Sequence, residues 1–117
     1  MARVALLCPD LLFGSKVEGA LRAAGHEVSV HGDPESAREA AAGAELLVVD
    51  LTVPETEGPE LVGSLRAAGE DVPALGFYSH VEQDVRTRAE EAGFDRVVPR
   101  SRMAREGPAL AEALLRG

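Results

Sequence analysis

Five short apolar segments alternate with helical patterns along the chain, and this alternation limits the fold more than any other feature. The apolar segments cover residues 4–8, 27–30, 46–49, 73–77 and 96–98. The helical patterns cover residues 15–24, 34–42, 59–68, 81–92 and 108–115. Short apolar runs without polar alternation are typical of parallel strands that are covered on both faces. We therefore expect an α/β fold, a doubly wound sheet of five parallel strands with helices on both faces.

Capping and turn residues support these boundaries. Helix-start signals occur at four places, namely Ser15-x-x-Glu18, Asp33-Pro34, Gly58-Pro59 and Ser79-x-x-Glu82. Glycines follow three of the helical patterns, at positions 25, 69 and 93, where a left-handed cap conformation is common. Because Pro108 cannot donate a helical hydrogen bond, we expect an irregular turn over 101–106 and a regular helix only afterwards.

Size and charge narrow the class of protein. A chain of 117 residues, 45% of them apolar, is expected to form a single domain over residues 1–117. The net charge of −8 argues against nucleic-acid binding, and no apolar stretch approaches a membrane span. The first apolar run is too short for a signal peptide, and a single cysteine excludes an internal disulfide. We therefore expect a cytoplasmic protein.

Any ligand chemistry is expected at one edge of the sheet. In an open parallel sheet, ligands bind beyond the carboxyl ends of the strands. These ends carry Cys8-Pro9-Asp10, Asp50-Leu51-Thr52, Tyr78-Ser79-His80 and Pro99-Arg100-Ser101.

The segment Asp50-x-x-x-Pro54-x-x-x-Gly58 resembles the phosphoacceptor segment of bacterial response-regulator receiver domains. Residues 72–80 and 89–93 are also similar to that family, so the resemblance spans essentially the whole chain. It implies a flavodoxin-like sheet with strand order 2-1-3-4-5. It also implies a signalling module of a two-component system rather than an enzyme. In such a system a histidine kinase phosphorylates an aspartate of the module in the presence of Mg²⁺.

Two positions match the family's site residues. The resemblance makes Asp50 the candidate phosphoacceptor and makes the backbone carbonyl of Thr52 a Mg²⁺ ligand. The family's pair of metal-binding acids falls on Cys8 and Pro9, and Asp10, just beyond them, is the candidate carboxylate ligand.

Three further positions depart from the family. Tyr78 stands at the position of a serine or threonine, Arg100 at the position of a lysine, and Val97 at the position of a switching aromatic residue. An arginine keeps the charge but has a planar fork instead of a compact ammonium group. A tyrosine is too large to take the place of a small hydroxyl residue without moving the helix behind it, and a valine has no large alternative rotamer.

Each site residue also has a simpler interpretation. Asp50 and Asp10 could cap the loop or helix that follows them, and Cys8 could be a small buried apolar residue. For the functional interpretation we predict that Asp10 and Asp50 lie at the same edge and share a cation. We also predict an ion pair between Arg100 and Asp50 across the phosphoryl site.

Three functions follow from these alternatives. The leading hypothesis is a degenerate receiver that works by protein–protein contact, with phosphorylation of Asp50 weak or lost. The second is an active but atypical phosphoacceptor, and the third is a small-molecule binder or enzyme on a flavodoxin-like sheet. The expected partner is a signalling protein such as a histidine kinase. A basic cluster, Arg96, Arg100, Arg102 and Arg105, also favours a homodimer through the fourth helix, fifth strand and fifth helix.

Overall fold

The computed structural model describes residues 2–79 and 83–117, in which strands and helices alternate. In chain order the elements are β1 (Arg3–Leu7), α1 (Leu11–Ala23), β2 (Glu27–His31), α2 (Pro34–Ala41), β3 (Leu46–Asp50), α3 (Gly58–Ala67), β4 (Ala74–Tyr78), α4 (Gln83–Ala92), β5 (Arg96–Pro99) and α5 (Arg100–Arg116). All strand pairs are parallel, and the strand order is 2-1-3-4-5. The predicted fold class is confirmed. Within the residues described, no helix has the length and apolar character needed to cross a membrane.

Two apolar cores lie on opposite faces of this sheet. The first core joins the sheet to α1 and α5, and its largest buried side chain is Phe77, which packs against Phe13 with ring centroids 5.1 Å apart. The second core joins the sheet to α2, α3 and α4. Neighbouring residues of a strand face opposite cores, so the central strands β3 and β4 are buried on both sides, whereas only Val28 is buried in the edge strand β2. Each large side chain buried in this way stabilises the fold by roughly 1.5–3 kcal/mol.

Helix α1 begins four residues earlier than predicted. Its N-cap is Asp10, whose Oδ1 accepts hydrogen bonds from the N–H groups of Leu12 and Phe13 at 3.1 Å each. Ser15 lies inside the helix, so the capping box predicted there is wrong. The cap at Asp33 is confirmed by a 2.9 Å hydrogen bond from the Ser36 N–H. The capping box predicted at Ser79-x-x-Glu82 lies partly outside the described residues. His80 and the first two residues of the predicted 81–92 helix lie outside them as well.

Gly58 is the first residue of α3 and not its N-cap. The residue before it, Glu57, has left-handed backbone angles (φ 50°, ψ 42°). A Cβ atom at Gly58 would lie only 2.4 Å from Cδ2 of Leu51, and one at Gly76 would lie 2.6 Å from Leu51 Cδ1. The side chain of Leu51, which directly follows Asp50, therefore requires glycine on both sides of it.

Helix α5 runs from Arg100 to Arg116, with one non-helical residue, Glu106 (φ −127°, ψ 16°). The irregular turn predicted over 101–106 is therefore wrong, because Pro108 distorts only one residue of the preceding turn. Buried residues on both sides of the kink, Met103 and Leu110, pack into the first core and keep both halves on the sheet.

Candidate functional site

The carboxyl ends of the strands bring the predicted site residues to one edge of the sheet. Asp50 is the last residue of β3, and it pairs in register with Phe77 of the neighbouring β4. Cys8 directly follows β1, where its N–H donates to the carbonyl of His31 at 2.9 Å. Arg100 begins α5 immediately after β5.

Asp50 is almost completely buried, with 2% of its surface exposed, and the protein itself provides hydrogen-bond donors to it. Its Oδ1 accepts from the N–H of Thr52 at 2.8 Å and from the Thr52 hydroxyl at 2.5 Å. Its Oδ2 accepts from the Cys8 thiol, with sulfur and oxygen 3.6 Å apart. The backbone carbonyl of Asp50 accepts from the Thr56 hydroxyl at 2.7 Å. Both carboxylate oxygens are thus satisfied by hydrogen bonds from within the fold.

Cys8 serves Asp50 as a neutral donor. Burial, and then the negative charge of Asp50, raise the pKa of the Cys8 thiol to about 12, so it keeps its proton at neutral pH. A thiol with such a raised pKa is a poor nucleophile, since only the thiolate reacts readily. The place of Cys8 in the first core supports its interpretation as a buried apolar residue. Its hydrogen bond to Asp50 is a second role, which that interpretation does not include.

Asp10 lies at the same edge, and both of its carboxylate oxygens are engaged. Oδ1 caps α1, and Oδ2 forms an ion pair with Nη2 of Arg100 at 3.1 Å. The N–H of Phe13, more than the charge of Arg100, lowers the pKa of Asp10. The Cys8 sulfur lies 3.5 Å from the backbone carbonyl of Asp10 and 3.6 Å from the Asp50 carboxylate. The predicted placement of the two aspartates at one edge is therefore supported by their shared neighbour.

The ion pair predicted between Arg100 and Asp50 is wrong. The Arg100 guanidinium turns toward α1 instead, where it pairs with Asp10 and its Cζ lies 4.2 Å from the centroid of the Phe13 ring. Asp50 is buried and already accepts hydrogen bonds, whereas the Asp10 side chain is 41% exposed. Pairing at the surface lets the guanidinium keep much of its hydration and stack on an aromatic face.

Tyr78 belongs to the second core and not to the Asp50 side of the sheet. It is buried next to Phe77, which faces the first core. Hydrogen bonds that Arg86 on α4 donates to the Glu90 carboxylate, and then to the Tyr78 oxygen, raise the pKa of Arg86. The phenol oxygen therefore contacts α4. Val97 is also buried in the second core.

Two hydroxyl groups at the edge were not assigned by the sequence analysis. The side chain of Thr52, for which only a backbone role was predicted, is a donor to Asp50. The spacing Asp-x-Thr is a signal for this contact, because short polar side chains bond to groups two residues along the chain. Ser79 contributes to a cavity of about 380 Å³ at the start of α5, lined by Phe13, Thr52, Ser79, Pro99, Arg100, Ser101 and Ala104.

The residues at this edge do not fit a Mg²⁺ ion. Mg²⁺ prefers near-octahedral oxygen ligands, usually carboxylates, phosphates and water. A neutral thiol, Cys8, stands at the acid position, and Asp10 is engaged with α1 and Arg100. Among residues 2–79 and 83–117, no group of three or more His, Cys, Asp or Glu side chains is placed to hold a metal.

The basic cluster is partly neutralised by acidic neighbours. Arg102 and Arg105 both pair with Glu106, at 3.2 and 3.6 Å, and Arg100 pairs with Asp10. These pairs support the simpler interpretation of the cluster as ordinary surface charge. The homodimer predicted through this region stays a prediction.

Among the comparisons with known proteins, only the one with solved structures finds similar proteins. No protein-family model matches the chain, and no curated protein matches it. Among solved structures, the receiver domain of Francisella response regulator 1452 has a TM-score of 0.87 at 15% identity, covering 99% of this chain and 98% of that one. The non-phosphorylated HemR receiver domain from Leptospira biflexa has a TM-score of 0.83 at 20% identity, covering 98% and 94%.

A third similar structure is the BeF3-activated DrrB receiver domain, with a TM-score of 0.85 at 18% identity, covering 100% of this chain and 99% of that one. At these identities the likeness concerns the fold, and it extends over the full length of each domain. Together with the observed strand order, it shows that the chain has the flavodoxin-like fold of response-regulator receiver domains.

Proposed function

We propose that the chain is a signalling module of the receiver type that acts by protein–protein contact, with phosphorylation of Asp50 weak or lost. The observation that carries this proposal is the hydrogen bonding of Asp50, both of whose carboxylate oxygens accept from Cys8 or Thr52. A phosphoacceptor needs one oxygen free to attack phosphorus. Here Asp50 is 2% exposed and both of its carboxylate oxygens are polarised by protein donors, which limits access to a phosphodonor and lowers the nucleophilicity of the carboxylate.

The charges around Asp50 also favour this proposal. Phosphoryl transfer depends on cations that neutralise the developing negative charge. Arg100, at the position of the family's lysine, pairs with Asp10 and stacks on Phe13. Tyr78, at the hydroxyl position, is directed to α4. We propose that the module is not an enzyme. We also propose a cytoplasmic location, because a chain with a single cysteine forms no internal disulfide and suits a reducing compartment.

Exposed apolar residues beside the site support a role in protein contact. Leu11 and Leu12, in the first turn of α1, are 81% and 88% exposed and directly follow Asp10. Two adjacent exposed leucines provide apolar surface that a protein partner can bury. We propose a signalling protein, of which a histidine kinase is one class, as the partner at this edge of the sheet.

Intact-mass measurement tests the proposal against the alternative of an active atypical phosphoacceptor. The protein is incubated with Mg²⁺ and acetyl phosphate, and Asp50→Asn serves as the matched control. We expect no mass increase in the wild-type protein. A phosphoryl adduct on most molecules that is lost in Asp50→Asn would overturn the proposal. An absorbance spectrum of the purified protein tests the third hypothesis, because a bound flavin or cobalamin would colour it.

A further inference from the structure

Both carboxylates at the carboxyl edge of the sheet already have protein partners. The protein's own N–H, hydroxyl and thiol groups are the donors to Asp50, and the N-terminus of α1 together with the Arg100 guanidinium holds Asp10. The receiver resemblance makes Asp50, with Asp10 as the candidate second carboxylate, the place at which a divalent cation would offset negative charge. The donors to Asp50 are hard to displace, because a buried acceptor that loses its donor carries a desolvation penalty.

The charges of Asp10, Asp50 and Arg100 also argue against a divalent cation at this edge of the sheet. Two carboxylates without a counter-charge repel one another and attract a cation. Arg100 supplies one positive charge, fixed by its stack over Phe13 and by a 3.1 Å contact with Asp10. A guanidinium cannot lose its charge in a protein, so this counter-charge is permanent.

We infer that this site has a built-in cation: Arg100, together with hydrogen bonds from Cys8 and Thr52, replaces the divalent metal and makes the site independent of Mg²⁺. The inference rests on the proposed function in one respect, since both use the hydrogen-bonded state of Asp50. It adds a specific role for Arg100, which is a positioning residue for Asp10 and excludes a second cation by its charge.

The test is a titration with MgCl2 at constant ionic strength, followed by the amide NMR shifts around positions 8–10 and 50–52. Three proteins are compared, namely the wild type, Arg100→Ala and Arg105→Ala. Arg105 is the matched control, because it is an exposed arginine on the same helix that pairs with Glu106 and not with Asp10.

We expect no saturable shifts in the wild type or in Arg105→Ala, and saturable shifts in Arg100→Ala, in which Asp10 has lost its counter-charge. Saturable binding by the wild type near Asp50 would overturn the inference. So would an Arg100→Ala variant that remains folded by its NMR spectrum and still fails to bind Mg²⁺.

The proposed function fails on a different measurement. Phosphorylation of Asp50 by acetyl phosphate in the presence of EDTA would refute the proposed function and leave the built-in cation intact. Saturable Mg²⁺ binding by the wild type without any phosphoryl adduct would refute the built-in cation and leave the proposed function intact.

Discussion

The Cys8 thiol makes the stability of the fold sensitive to alkaline pH. Its pKa rises from an ordinary value of 9.0 to about 12 in the folded protein. Above about pH 9, the thiol of the unfolded chain loses its proton while the folded protein keeps it, so the folded state binds more protons. The free energy of unfolding therefore falls as pH rises. The contribution is fully present below about pH 9 and is lost progressively toward about pH 12.

The magnitude follows from the size of the pKa shift. Each pKa unit corresponds to ~1.4 kcal/mol, so the slope above about pH 9 is a loss of ~1.4 kcal/mol per pH unit, and the total approaches ~4 kcal/mol. This is a large part of the roughly 5–15 kcal/mol by which domains are typically stable. Cys8→Ser keeps a donor to Asp50 but has no group that titrates in this range, so its stability should fall less steeply.

Urea unfolding of the two proteins between about pH 8 and about pH 11 measures this difference. All other ionisable groups are common to both proteins, and their effects cancel in the comparison. The difference in unfolding free energy between wild type and Cys8→Ser should be constant below about pH 9 and should change by ~1.4 kcal/mol per pH unit above it. Parallel pH profiles would refute the reasoning, because they would mean that the thiol titrates normally in the folded protein.

Four further substitutions test the packing and the edge of the sheet. Gly58→Ala should destabilise by roughly 1–3 kcal/mol, because its Cβ would collide with Leu51. Gly63→Ala, in open space on the same helix, should instead stabilise by roughly 0.5–1 kcal/mol, and equal effects in thermal unfolding would contradict the packing argument. Glu57→Gly should stabilise by roughly 0.5 kcal/mol, since relief of the left-handed backbone slightly exceeds the entropy cost of glycine; destabilisation in urea unfolding would count against it. Arg100→Ala should cost only about 1 kcal/mol in the same assay, as expected for an exposed ion pair with an aromatic stack, and a loss several times larger would indicate a buried role.

The fold was predictable because its signals are local and repeated. Five apolar runs bounded by caps and glycines determine the alternation, and right-handed crossovers then leave few strand orders. The start of α1 was misplaced for a physical reason. Leu11 and Leu12 are apolar but exposed, so the hydrophobic periodicity does not mark the first turn, and only the cap at Asp10 does.

The site was less predictable, because topology brings residues to an edge without deciding which of them pair. Asp50, Asp10 and Arg100 were all expected there, but the direction of the Arg100 side chain depends on Phe13, which belongs to a different element. The donors to Asp50 are likewise a matter of side-chain geometry. The Thr52 contact was readable from its spacing, whereas the Cys8 contact joins two strands and required the structure.

Two buried positions argue against a phosphoryl-driven conformational switch. A receiver-type switch needs two packings of similar energy. Tyr78 is large and held in the second core through α4, and Val97 is stiff about its χ1 angle. We therefore predict a single conformation of the segments 78–85 and 97–105, of which residues 80–82 lie outside the described part of the chain.

The most direct test of this single conformation uses beryllofluoride, which imitates a phosphoryl group on aspartate. Beryllofluoride and Mg²⁺ are added, and amide NMR shifts are recorded in both segments. We expect the shifts of the wild-type protein to remain unchanged, as they should in the control Asp50→Asn. Large, saturable shifts that spread from Asp50 to Arg100, Arg102 and Arg105 in the wild type alone would show that a phosphoryl-driven switch survives. That result would contradict the proposal that Asp50 is held by its hydrogen bonds to Cys8 and Thr52.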